Sequence, residues 1–302
     1  MTDSGVMLID KPQGITSHDV VARVRRAAGT RKVGHAGTLD PMATGLLILG
    51  INSSTRLLTY VVGAHKEYLA TIRLGASTVT DDAEGEITAR ATPESCSRVT
   101  DEDLRAGIAE LTGDILQIPS AVSAIKVDGQ RSYARVRAGE EVVLPARPVT
   151  VSEFDLNGIH RGDGQIDLDV RVECSSGTYI RALARDLGDG LGVGGHLVAL
   201  RRTRVGPFHV ESAHDLDSLD VSGAIIPAAD AASSLFPVLS ITSQQARDLG
   251  NGKRVAITET DRAYPSNTPI AAMTELGHLV GLVTVSGNRA RVLMNFPEDE
   301  RA

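Results

Sequence analysis

The sequence predicts an α+β protein: a mixed, mainly antiparallel central sheet flanked by helices and loops, with a small β-rich, barrel-like domain at the C-terminus. Three observations carry this expectation. Ile166, Leu168, Val170, Val172 and Cys174 alternate with polar residues, the period of a strand with one buried face. Val20, Val21, Val24 and Ala28 recur at helical spacing instead. Strand-like and helix-like segments follow one another without a regular βαβ rhythm, which favours antiparallel pairing.

The elements follow in order. Val6 to Asp10 reads as a strand and Lys11-Pro-Gln-Gly14 as its turn. Ser17 is the expected cap of the first helix, and Gly29 its stop. A glycine-rich loop, Gly34 to Gly45, leads into a buried strand, Leu46 to Ile51. Ser53 or Ser54 caps a short helix through Leu57, Leu58 and Val61. Glu67 to Leu74 is a strand with Tyr68, Ala70, Ile72 and Leu74 on one side. Thr100 with Asp103 forms a capping box before Leu104, Ile108 and Leu111. Ile115 to Ile118 and Val122 to Val127 read as strands, Asp128-Gly129 as a turn, and Ser132 to Ala138 as a short helix. Ser175-Ser-Gly177 breaks the alternating strand, Thr178 to Leu187 is an amphipathic helix, and His196 to Val205 is a strand.

An acidic stretch after Glu211 and then Pro237 place a division between residues 1–236 and 237–302. Beyond it come one helix, Ser243 to Leu249, and turns at Leu276-Gly-His and Ser286-Gly-Asn. About sixty residues suffice for a compact barrel-like module.

Composition is that of an ordinary globular chain: 302 residues, 42% hydrophobic and 23% charged. The longest apolar run, Gly45 to Ile51, is too short to cross a bilayer. The N-terminus has neither the basic start nor the apolar stretch of a signal peptide. A cytoplasmic protein without a membrane partner is expected. Cys96 and Cys174 stand far apart without CxxC or Cys/His spacing, so neither a disulfide framework nor a metal site is expected. The net charge of −7 speaks against a nucleic-acid partner, but the bases are clustered. Arg23, Arg25, Arg26, Arg31 and Lys32 form one group; Lys126, Arg131, Arg135, Arg137 and Arg147 another; Arg181, Arg185, Arg201, Arg202 and Arg204 a third. One basic face is enough to grip phosphates, but on charge alone these clusters read first as ordinary solvated surface.

Chemistry concentrates in Gly34-His-Ala-Gly-Thr-Leu-Asp-Pro-Met-Ala-Thr-Gly45. Its glycines allow tight turns and close approach to a ligand, and Pro41 holds Asp40 extended. Asp40 is thus a carboxylate presented on a constrained loop; read alone, Asp-Pro is first of all a structural turn. Lys66-Glu-Tyr68 and Ser175-Ser-Gly-Thr-Tyr-Ile-Arg181 add two phenols and a guanidinium. With five Tyr, four Phe and no Trp, the chain has few rings on which a base can stack. By itself each tyrosine reads first as a half-buried sheet residue with its hydroxyl satisfied, and Arg181 as the surface partner of an acid such as Asp186.

Residues 34–45 resemble the GHxGxLDPxAxG motif of TruB-type tRNA pseudouridine synthases. Gly5-Val-Met-Leu-Ile-Asp-Lys-Pro-Gln-Gly14 is similar to that family's opening, Lys66-Glu-Tyr68 to its K-x-Y element, Gly177 to Arg181 to its GTYIR element, and Gly195 to Arg202 to its late His/Leu-Arg-Arg segment. These matches run in family order through residues 5–210, and the tail from about 238 to 297 resembles a PUA domain. The resemblance implies a pseudouridine synthase fold and an isomerase of the tRNA T-loop uridine, position 55. It makes Asp40 the catalytic carboxylate, with Tyr68 stacking on the base and taking part in proton transfer. Arg181 pairs with Asp40, Tyr179 lines the pocket, and His35 helps hold the opened loop. Arg56 falls where relatives carry a basic residue. Lys11, Lys126, Leu200 and Arg202 are implied as pocket or RNA-facing positions. The partner implied is the T-arm stem-loop of tRNA, with no cofactor and no metal; a monomer is expected, with oligomeric state left open. Attack by Asp40 on C1′ or on C6 stays open.

Two other readings compete. A non-catalytic RNA-binding protein has no use for Asp40 beside Tyr68 and Arg181. A glycosidase-like enzyme needs a second carboxylate, for which Asp81, Asp82 or Glu84 are available.

Overall fold

The computed structural model describes residues 3–120, 126–127, 130–131, 144–257, 264 and 268–296. The main elements begin with β1 (Gly5–Lys11), α1 (Ser17–Ala27), β2 (Val33–Ala36), β3 (Thr44–Ile51) and β4 (Lys66–Leu74). There follow α2 (Asp101–Glu110), β5 (Gly113–Gln117), β6 (Arg147–Gly162), β7 (Gln165–Cys174), α3 (Ile180–Gly190) and β8 (Gly195–Val205). The tail contains β9 (Val238–Ile241), α4 (Ser243–Gly250), β10 (Val255–Ala256), β11 (Ile270–Thr274), β12 (Leu279–Ser286) and β13 (Arg289–Asn295). The mixture is α+β, as the patterning predicts.

The chain forms two compact units. One comprises Met1–Asp40, Leu46–Val62 and Gly206–Ala302; the other comprises Pro41–Gly45 and Gly63–Val205. The units therefore interleave along the sequence.

In the first unit, β1 pairs in parallel with His214–Asp215 and antiparallel with Ile225–Pro227. Strand β2 pairs antiparallel with β3, from Val33 opposite Ile51 to Ala36 opposite Ile48. Val6, Met7, Leu8 and Ile9 of β1 are buried, as are Leu46 to Ile51 of β3. Helix α1 adds Val20, Val21 and Val24, each worth about 1.5–3 kcal/mol of apolar burial. The cap of α1 is Thr16, not Ser17. The Thr16 hydroxyl accepts the Asp19 N–H at 3.1 Å, and the Asp19 carboxylate accepts the Thr16 N–H at 2.8 Å. With Thr16 completing the box, Ser17 turns inward to another task.

The tail carries a sheet of its own, ordered β9–β11–β12–β13–β10 and curled as a half-barrel. Only β9–β11 is parallel. Leu239, Ile241, Leu249, Ile270, Val280 and Val283 form its separate core. Helix α4 lies where expected, capped by Thr242 and Gln245.

In the second unit the sheet runs β8–β4–β7–β6–β5, antiparallel throughout. One face of β4 and β7 is buried: Lys66, Tyr68, Ala70, Ile72 and Leu74 alternate inward, as do Ile166 to Cys174. Ala182, Leu183, Ala184 and Leu187 of α3 are buried as well. The other face is polar. Arg73 makes a bidentate pair with Asp167 at 2.7 and 2.6 Å, Arg171 reaches Glu67 at 3.0 Å, and Arg204 reaches Glu173 at 2.6 Å. Such partly exposed pairs contribute about 0–1 kcal/mol each; they keep the face wet more than they hold the fold.

Three local expectations shift. Val33–Ala36 is strand, and β3 already begins at Thr44, so the loop is shorter than the glycines suggest. Asn52–Leu57 is a 3₁₀ turn entered from Ile51 without a serine cap. Helix α3 starts at Ile180 and not at Thr178. Strands Lys126–Val127 and Gln130–Arg131 pair with each other, while the expected turn at 128–129 and helix at 132–138 lie outside the described residues. Among the described residues no helix is long and apolar enough to cross a membrane.

Candidate functional site

The Asp40 loop leaves β2 at Ala36 and turns at Gly37, whose φ of +88° suits a residue without a side chain. Two residues later the chain is pinned. The Ser17 hydroxyl donates to the Leu39 carbonyl at 3.0 Å and accepts the Leu39 N–H at 2.9 Å. Both atoms of one backbone residue are thus satisfied by a single buried hydroxyl, and the Leu39 side chain is itself buried. Asp40 follows, half-buried, with Pro41 restricting its backbone to extended conformations. The carboxylate therefore stands on a loop anchored immediately before it and stiffened immediately after it.

The other predicted residues of the first unit take distinct positions. His35 lies in β2 opposite Leu49, its ring meeting that of His18 edge-on at 5.5 Å. Lys11 is fully buried, and its ammonium donates to the Pro12 and Ile15 carbonyls at 2.9 and 2.8 Å. Those contacts close the turn after β1. Arg56 is exposed and donates to the Asn295 carbonyl at the end of β13.

In the second unit Tyr68 is 7% exposed, on β4 between Val172 of β7 and Arg202 of β8. Arg202 is buried, and Leu200 sits opposite Ala70. Lys66 begins β4 and donates to the Ala64 carbonyl at 2.8 Å. Burial, and then the nearby Arg202 charge, pull its ammonium down to about 8. Opposite it, burial pushes the Cys174 thiol up to about 11.

Close packing sets where this cluster sits. Thr44 and Gly45 run parallel to Arg201 and Arg202. Gly45 has φ +98°, and a Cβ there would lie 2.3 Å from the Arg202 carbonyl oxygen and 2.8 Å from its nitrogen. Neither backbone atom can swing aside. Gly45→Ala is expected to lower stability by about 2–4 kcal/mol, from strain at positive φ plus overpacking. Urea denaturation checks this, and an unchanged midpoint counts against the packing described.

Arg181, in the first turn of α3, is 5% exposed. Its guanidinium donates to the Thr80 carbonyl at 2.8 Å and lies 3.2 Å from an Asp82 carboxylate oxygen. Asp82 is equally buried, and its other oxygen accepts the Glu84 N–H at 3.0 Å and the Thr80 hydroxyl. The segment carrying Asp82 docks on β8: the Leu197 N–H donates to the Asp81 carbonyl, and the Ala83 N–H to the Leu197 carbonyl. Asp81 adopts a positive φ of 59° there. Arg181 is therefore not a surface partner of Asp186. Arg185, one turn further, takes that role, binding Asp186 at 2.8 Å and Asp81 at 3.1 Å. Burial, opposed by Arg185, pushes the Asp186 carboxyl up.

Sequence reasoning missed Asp82 as a partner of Arg181; the only signal was the Asp81-Asp82-x-Glu84 run, read there as a spare carboxylate. It also missed Gln117, which holds the backbone of half-buried Tyr179. Lys126 lies in a two-residue strand opposite Arg131.

Comparison with known proteins places these features in context. A family model described as TruB family pseudouridylate synthase (N terminal domain) matches residues 25–180. Another, described as tRNA pseudouridylate synthase B C-terminal domain, matches residues 181–240. A protein of Leifsonia xyli subsp. xyli named tRNA pseudouridine synthase B is 65% identical over 302 residues, covering 100% of this chain and 99% of its own length. A protein of the same name from Streptomyces coelicolor is 53% identical, covering 98% of each chain. Among solved structures, a chain in a Cbf5-Nop10-Gar1 complex superposes with a TM-score of 0.73 at 27% identity, over 98% of this chain and 86% of that one. A chain in an H/ACA RNP bound to a substrate RNA containing 2'-deoxyuridine gives 0.70 at 25% identity, over 99% and 87%.

Proposed function

Since the chain belongs to the TruB family of pseudouridylate synthases, we propose that it isomerises the T-loop uridine of tRNA, position 55, to pseudouridine through Asp40 and by base flipping. At the coarser level it is a tRNA pseudouridine synthase, an isomerase. The observation that carries the finer reading is the anchored, half-buried Asp40 within a motif matching the family's, together with Tyr68 and the buried Arg181 in theirs.

The reaction breaks the N1–C1′ bond, turns the uracil and joins C5 to C1′; N1 gains a proton and C5 loses one. Atoms and electrons balance within the nucleotide. An ionised carboxylate attacking C1′ or C6 is the group this needs, in a site with little water. Asp40 supplies it. The target nucleotide leaves its stack at a cost of a few kcal/mol, about 1–3 of which stacking on Tyr68 offsets. The Tyr68 hydroxyl serves proton transfer at C5. Arg181 supplies the counter-charge to Asp40, with Asp82 and the Thr80 carbonyl fixing its guanidinium. His35, Tyr179, Leu200 and Arg202 contribute to the substrate surface, and Arg56 and Lys126 to phosphate contacts. The buried, backbone-bonded Lys11 supports the turn after β1. The tail acts as a PUA-like RNA-binding module, which its own sheet and core support. The enzyme works as a cytoplasmic monomer on the T-arm.

The test is incubation with unmodified tRNA followed by mapping of pseudouridine. A single site at the T-loop uridine is expected; modification only elsewhere would sink the assignment. Tyr68→Phe is expected to hold tRNA within about twofold and to turn over about 10²–10⁴-fold more slowly, the usual worth of a general acid–base group. Unchanged turnover leaves the hydroxyl without a chemical role.

A further inference from the structure

We propose that Gln117 is a positioning residue for this reaction, setting the direction of Tyr179 and, through the start of α3, of Arg181. The inference rests on the reading of those two residues as part of the site.

Gln117 is the last residue of β5 and is 1% exposed. Its side-chain amide meets the backbone of Tyr179 on both sides. The Tyr179 N–H donates to the Gln117 Oε1 at 2.8 Å, and the Gln117 Nε2 donates to the Tyr179 carbonyl at 3.1 Å. A primary amide here does what a neighbouring strand residue does in a ladder: it offers one donor and one acceptor in the plane of the backbone.

The place where this happens matters. Tyr179 is the N-cap of α3, and its side chain makes no capping hydrogen bond. The first N–H groups of a helix lack partners within it, so the entry angle of an uncapped helix is loosely set. Fixing both the N–H and the C=O of the cap residue removes that freedom. The Tyr179 carbonyl also accepts the Leu183 N–H at 3.2 Å, so Gln117 is tied directly into the first turn of the helix. Tyr179 and Arg181 lie at and just after this clamp. A second contact reinforces it one residue along: Arg185 donates to the Ile118 carbonyl at 2.7 Å. The end of β5 and the first turns of α3 are thereby joined at two successive residues, and that helix carries the guanidinium bound to Asp82.

The test uses full-length enzyme and a T-arm hairpin, reading hairpin affinity and the single-turnover rate at saturating enzyme. Gln117→Met keeps the length and removes both hydrogen bonds. The expected result is a rate about 10- to 100-fold lower, as for a small misplacement of reacting groups, with affinity within about twofold. Gln117→Glu covers the case in which the methionine variant does not fold. As a carboxylate it accepts the Tyr179 N–H but sets a negative oxygen against the Tyr179 carbonyl. Once protonated it regains a donor and an acceptor. Its rate relative to wild type should therefore rise toward one as the pH falls from 8 to 5.5. A wild-type rate in both variants at pH 8, or a pH-independent loss in Gln117→Glu, overturns the proposal. Asp40→Asn runs alongside: turnover by that variant would remove the site reading itself, whereas an inactive Asp40→Asn with Gln117 variants at wild-type rate removes only this inference.

Discussion

Replacing Asp40 with Asn will leave capture of a T-arm hairpin close to the wild-type level and abolish pseudouridine formation. The substitution keeps the side chain's size and shape and one acceptor oxygen, so the Ser17–Leu39 anchor and the extended backbone before Pro41 should survive. What disappears is the negative oxygen. An amide neither attacks carbon at C1′ or C6 nor balances positive charge there. Removing a nucleophile of this kind typically costs about 10⁴-fold or more in turnover. Tritium released from C5-labelled uridine in tRNA measures it directly. Near-normal release would remove the mechanism while leaving family membership intact, because the latter rests on the whole chain.

The second large effect concerns stability. Arg181 and Asp82 are side chains only 6% and 4% exposed, 3.2 Å apart. Arg181→Met leaves the Asp82 carboxylate buried without its cation, which costs about 3–5 kcal/mol. Adding Asp82→Asn removes the stranded charge while keeping an acceptor for the Glu84 N–H and the Thr80 hydroxyl, so most of the loss should return. Activity should not return, because the double variant is stable but has lost the guanidinium. Urea denaturation and tritium release, measured on wild type, single and double variants, separate the two. A double variant as unstable as Arg181→Met would mean that the pair contributes little and that Arg181 packs by shape.

Much of this was readable beforehand, and the reasons differ by element. The strands β4 and β7 were legible because a half-buried sheet writes its geometry into every second residue. The capping box at Thr100 was legible because donor and acceptor lie three residues apart in sequence. At α1 the same logic misled: Thr16 and Ser17 are both good caps, and the choice depends on Leu39, twenty-two residues away. Asp40, Tyr68, Tyr179 and Arg181 stood out through motif resemblance, which needs no geometry. Asp82 and Gln117 did not, because their partners lie far along the chain and neither has an unusual local context. Their roles are set by tertiary pairing: the docking of residues 81–83 on β8 in one case and the meeting of β5 with α3 in the other. The interleaved units were equally invisible, since local composition marks where a chain changes character and says little about where it returns.

The hydroxyl of Ser17 also sets how freely this stretch can drift over generations. It serves as donor and acceptor to one peptide residue at once, which an ammonium, an ionised carboxylate or an alanine cannot do. Position 16, immediately before it, tolerates any of the common capping residues. Two adjacent sites that look interchangeable on paper are therefore under unequal constraint: variation is expected at the outer one, and the inner one should favour serine or, where its extra methyl fits, threonine.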